Sequence, residues 1–75
     1  MYFIVELQVN GDSGANIVQT ADTYEKAMSK YHTVLASASV SEVEKHSCIV
    51  LDDEGRHVAR ECYKHIKEPE PTVEE

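Results

Sequence analysis

Tyr2-Phe3-Ile4-Val5-Glu6-Leu7-Gln8-Val9, followed by Asn10-Gly11-Asp12-Ser13-Gly14 and then Asn16-Ile17-Val18-Gln19-Thr20, is the stretch that decides the fold. Phe3, Val5, Leu7 and Val9 recur at period two, which puts them on one face of a strand rich in β-formers. The residues from Asn10 to Gly14 concentrate turn formers, with two glycines able to take positive φ, and β character resumes at Asn16. Together these segments predict a β-hairpin. At Asp22 the period changes. Asp22 and Glu25 have the spacing of a capping box, in which each side chain satisfies a free amide of the first helical turn. From Tyr24 onward, Ala27, Met28, Tyr31, Val34, Leu35 and Ala38 follow helical spacing and form one apolar stripe, so the helix is expected to end near Ser39.

Beyond Ser41, Val43 to Leu51 reads as a third strand, Asp52-Asp53-Glu54-Gly55 as its turn, and Arg56 to Tyr63 as a fourth strand. The expected fold is therefore α+β in the order ββαββ: a four-stranded antiparallel sheet with one helix packed on one face. The chain has 75 residues, 41% of them apolar, which is enough for one core and too little for two. One domain is expected over residues 1–66. Residues 67–75, with Pro69, Pro71 and four glutamates, read as a mobile tail that cannot pack a core.

The formal charge is -7, and the tail carries four of the 14 acids and one of the seven bases, which leaves -4 on residues 1–66. Acidity on this scale disfavours unspecific attraction to phosphate backbones, so nucleic acid is not an expected partner. No apolar run approaches the roughly 18 residues a membrane span needs, and Met1-Tyr2-Phe3-Ile4-Val5 lacks the basic start of a signal peptide. The expected location is the cytoplasm, where Cys48 and Cys62 stay reduced; their spacing fits no CxxC pattern.

If the second hairpin closes with Asp53 and Glu54 at its tip, His46 lies opposite Glu61, Glu44 opposite Tyr63, and Cys48 opposite Ala59. In that register His46, Cys48 and Val50 share a face with His57, Ala59, Glu61 and Tyr63, while Ser47, Ile49 and Leu51 take the other face. Both faces carry apolar residues, yet one helix covers only one of them. A second copy of the chain, most simply in a twofold dimer, would cover the other face; the alternative is shielding by the tail or by polar residues such as Arg60.

Four histidines are the unusual feature of the composition. Taken singly, histidines at strand and helix edges are ordinary hydrogen-bonding residues. His46, Cys48, His57, Cys62 and His65 are suitable zinc donors, but none of their spacings is the tight loop of a structural zinc site, and no metal or other cofactor is assigned. Cys48, in mid-strand, is badly placed for nucleophilic catalysis, and the chain has neither a glycine-rich phosphate loop nor a nucleophile elbow. Clustered His, Tyr and Arg without a nucleophile fit a binding pocket better than a reaction centre, with Arg56, Arg60, Lys45 or Lys64 supplying local positive charge. No enzymatic activity is expected.

Ala36, Ala38, Ser41, His46, Gly55 and Glu61-Cys62-Tyr63-Lys64-His65 together resemble a family of short proteins from phages and prophages of Gram-positive bacteria, over roughly residues 3 to 65. That resemblance implies an anti-defence factor in the bacterial host cytoplasm: an oligomer that sequesters a nucleotide immune signal, of the ADP-ribose-derived Thoeris type, without turnover. The pocket expected for it lies between protomers. Residue chemistry nominates Tyr31, His32, Ser41, His46, Arg60, Tyr63 and His65 to line it. The alternatives are an inhibitor or adaptor that binds a host enzyme through its acidic surface, and a structural module with a metal site.

Overall fold

The computed structural model describes residues 1–65; the tail read from the sequence lies outside the described residues. Five elements follow in chain order: β1 (Tyr2–Asn10), β2 (Ser13–Ala21), α1 (Tyr24–Ser39), β3 (Lys45–Asp52) and β4 (His57–Lys64). They form one sheet in the order β2-β1-β3-β4, with every neighbouring pair antiparallel. The α+β, ββαββ expectation therefore describes the chain. β2 and β3 run parallel to each other on either side of β1, and parallel strands need a crossover; α1 supplies it.

α1 lies over one side of the sheet. Ala27, Tyr31, Val34 and Ala38 of the predicted stripe are buried, with Met28 and Leu35 half-buried at its margins. Beneath them lie Ile4, Cys48 and Val50, all fully buried, with Tyr2 and Ala59 packed at the edge of the cluster. The helix starts one residue later than the Asp22 cap predicts. Thr23 takes the extended cap conformation (φ -131°, ψ 159°) and its Oγ1 accepts from the Lys26 amide at 3.2 Å. Asp22 instead pairs with Lys26 Nζ at 3.3 Å, and that partner holds the carboxyl below its usual range.

The second hairpin corrects the expected register. Its loop has three residues, Asp53-Glu54-Gly55, because the Asp52 carboxylate accepts from the amides of Glu54 (2.9 Å) and Arg56 (3.0 Å). Gly55 closes the loop at φ 85°, a conformation that favours glycine. Asp52 thus pairs with Arg56, its amide donating to the Arg56 carbonyl at 2.9 Å. A bulge at Val58 of β4 then follows, opposite the step from Val50 to Leu51, so that Leu51 faces His57 but Val50 faces Ala59. Each irregularity moves the pairing by one residue. His46 therefore faces Tyr63, not Glu61; Cys48 faces Glu61, not Ala59; and Glu44 meets His65, whose amide donates to the Glu44 carbonyl at 2.7 Å. Two single shifts restore the original alternation, so His46, Cys48 and Val50 do share a face with Ala59, Glu61 and Tyr63. His57 alone is transferred to the other face, opposite Leu51.

The period-two run Phe3, Val5, Leu7, Val9 faces away from α1. Phe3 pairs with Leu51 and Val5 with Ile49, building an apolar surface on the open side of the sheet. The helix side of β1 is the more polar one, with Glu6 and Gln8 below Tyr2 and Ile4.

Candidate functional site

On the helix side, the polar residues of β1 reach across to β3. His46 is 4% exposed, and its Nε2 lies 2.5 Å from Glu6 Oε2, which also accepts from Gln8 Nε2 at 2.9 Å. The Nδ1 atom of the same ring is buried without a partner. The sequence reading paired His46 with Glu61; the residue that does bind it is Glu6, 40 positions away, on a strand whose apolar alternation draws attention to the opposite face. Cys48 sits directly between Glu6 and Glu61 in the sheet. Burial first, and the Glu6 charge second, push its thiol up to about 11, so it is protonated and inaccessible at neutral pH. Tyr31 packs over this region and its hydroxyl is also raised, by burial and then by the Glu61 charge.

The seven nominated residues separate into three groups. His46, Tyr63 and His65 lie together at one end of the sheet: His46 faces Tyr63 across the ladder, and the Tyr63 and His65 rings stack with centroids 6.4 Å apart. His65 Nε2 is 2.9 Å from the Ala38 carbonyl, which also accepts from the Ser41 amide, so this imidazole caps the C-terminus of α1. Ser41 organises the adjoining loop through its Oγ, which accepts from the Val43 amide at 2.9 Å. Tyr31 and His32 form an edge-to-face pair on the helix, the tyrosine buried and the histidine exposed. Arg60 is alone on the far side of the sheet, opposite Ile49.

Charge separates these surfaces as well. The histidine groups have Glu6, Glu44 and Glu61 as neighbours and the carbonyl end of a helix beside them, an unfavourable setting for a phosphate. The open face carries Arg60 together with Lys45 and Lys64, which stand directly opposite each other next to Val9. Like charges in that arrangement repel, and a bound anion relieves the repulsion. None of the ten acids in residues 1–65 occupies an open-face strand position.

Among the described residues there is no pocket within a single chain, no group of three side chains placed to hold a metal ion, and no helix long and apolar enough to cross a membrane. Cys48 and Cys62 are both free thiols, and Cys62 faces Ser47. No protein family, curated protein or solved structure matches the chain.

Proposed function

We propose that this protein binds without turnover, that its working surface is the open face of the sheet, and that two copies close over that face to hold a small nucleotide-type anion against Arg60, Lys45 and Lys64. The supporting observation is the composition of the face: Phe3, Val5, Leu7, Val9, Ile49 and Leu51 in the middle, three cations along β3 and β4, and no carboxylate, in a chain of net charge -7. Exposed apolar surface forfeits about 25 cal/mol per Å², which a domain this small can ill sustain. Nine residues of β1 at about 3.4 Å each, across four strands about 4.8 Å apart, give roughly 600 Å² in projection. That is comparable to the roughly 800 Å² that each partner contributes to a stable complex. Two chains of this charge also approach with least repulsion where neither presents an acid.

Calorimetry of the full chain with ADP-ribose and its cyclic isomers tests the ligand, and sedimentation mass with and without ligand tests the seam. Binding that is abolished by Arg60→Glu and retained in His32→Ala, with the sedimentation mass halved in Leu7→Asp, is the expected result. Absence of both heat and thermal shift with every nucleotide tried overturns the ligand assignment. Unchanged assembly in Leu7→Asp overturns the seam.

A further inference from the structure

The sheet ends in two edges of unlike chemistry. β4 carries Arg60, Glu61 and Lys64 and is displaced by a bulge, both of them features that keep an edge strand from pairing with another chain. β2, Ser13-Gly14-Ala15-Asn16-Ile17-Val18-Gln19-Thr20-Ala21, has no charged residue and no proline over nine residues. It is bonded to β1 on one side only, and Ile17 and Val18, on opposite faces, are 50% and 53% exposed. A long, uncharged, half-apolar edge of this kind is a template for strand addition.

The hairpin geometry determines which groups are available. With Gly11 and Asp12 as a two-residue turn, Asn10 and Ser13 form the closing hydrogen-bonded pair. Bonded and outward positions alternate from there, so the amides and carbonyls of Gly14, Asn16, Val18 and Thr20 point to the free edge. These four positions are symmetric about Ile17.

We propose that β2 pairs antiparallel with β2 of a second copy about a twofold axis at Ile17, joining two sheets into one of eight strands. In this register Gly14 of one copy pairs with Thr20 of the other and Asn16 with Val18, so all four outward positions are satisfied in both chains, by about eight backbone hydrogen bonds. Ile17 of one copy stands opposite Ile17 of the other on the helix side, which removes both from water. At each end Asp12 of one copy meets Asp22 of the other, and Asp22 is already partnered by Lys26. Pairing of β2 with β4 of another copy would make an open filament; the charges and bulge of β4 oppose it, whereas the twofold contact closes. The axis runs perpendicular to the sheet and sets the two open faces side by side. The edge contact therefore neither requires nor blocks occupation of those faces.

Asn16→Pro is the discriminating variant. It deletes an outward amide and leaves the β1–β2 ladder untouched, and Ile17→Lys, whose side chain lies on the helix side and away from the open face, sets two like charges opposite each other at the axis as a second variant that makes no demand on the backbone. The expected result is a halved sedimentation mass in both variants with unchanged circular dichroism. In the unsubstituted chain, the amides of Gly14, Asn16, Val18 and Thr20 should be protected from exchange at high protein concentration and unprotected on dilution, and added salt should strengthen assembly by screening the net charge. A mass unaffected by both variants overturns the proposal, as do four amides exchanging as fast as those of the 53–55 loop at every concentration. Halving by Leu7→Asp alone assigns assembly to the open face and removes the edge contact, so the two surfaces are judged separately.

Discussion

Replacing Glu6 tests whether the buried polar pair organises the centre of the sheet. Glu6→Ala removes the acceptor of His46 Nε2 from a ring whose Nδ1 is already without a partner, leaving both nitrogens buried and unbonded. A buried polar group deprived of its partner costs about 1–3 kcal/mol. The Gln8 amide loses the same acceptor, but it is half-buried and turns to water at little cost. The expected destabilisation is about 2–3 kcal/mol, which for a domain of this size lowers the melting midpoint by about 8–24 °C. The double variant Glu6→Leu/His46→Leu removes both polar groups and fills similar volume against Ile4, Cys48 and Val50; it should lie within about 1 kcal/mol of the unsubstituted chain or above it. With the singles Glu6→Leu and His46→Leu closing the cycle, the pair should show a coupling of about 2 kcal/mol or more. Urea unfolding followed by circular dichroism, at pH 7 and one fixed protein concentration, measures all of these species. A Glu6→Ala loss below about 0.5 kcal/mol, or a double variant as unstable as the summed singles, refutes the reasoning.

Cys48 should make stability depend on alkali. Its thiol is raised from 9.0 to about 11, so between those values the unfolded chain releases a proton that the folded chain keeps. Stability is complete below about pH 9 and falls as pH rises toward about 11, and the difference in urea midpoint between the unsubstituted chain and Cys48→Ala should follow that interval. Under native conditions at neutral pH an aromatic disulfide reagent should spare Cys48 and label Cys62 of the open face in dilute solution, with both reacting in urea. Thr23→Ala should cost about 1 kcal/mol through loss of the helix cap, with a smaller effect from Asp22→Asn, read from thermal midpoints. Asp52→Ala should destabilise the second hairpin at neutral pH. The Arg56 and Glu54 amides hold the Asp52 carboxyl below its usual range, so the stabilisation it gives is present above the ordinary carboxylate pKa and is lost as pH falls through the lowered one. The variant should lack that acid-side loss in a pH series of urea midpoints.

Local signals made the elements legible. The alternation from Phe3 to Val9, the glycines at 11 and 14 and the helical stripe from Ala27 to Ala38 each state a period, and period is what distinguishes strand from helix. Alternation does not say which side of the strand the helix takes. Phe3, Val5, Leu7 and Val9 look like a core face and are the open one, because the crossover from β2 to β3 lays α1 over Ile4 instead. The partner of His46 was hidden for the same reason: Glu6 and Gln8 look like a solvent side. Of the site residues, Tyr63 and His65 do come together, but the contact between His65 and Ala38 depends on where a helix ends relative to a strand 27 positions later, which no spacing encodes. The register of the second hairpin was illegible because the Asp52 carboxylate lengthens the loop and a bulge follows it.

Those two irregularities constrain how this segment tolerates changes in length. Val58 is the residue that β3 does not match, with His57 opposite Leu51 and Ala59 opposite Val50, so its deletion would leave a regular ladder with Arg60 and Lys64 still on the open face and Ala59 still beneath the helix. Deleting one residue of the 53–55 loop would leave a two-residue turn that still joins Asp52 to Arg56. Single-residue changes at the loop or at Val58 are therefore absorbed where they fall, whereas losing Glu61 from the regular part of the strand would turn Lys64 to the helix side, a more severe lesion than most point substitutions in the core.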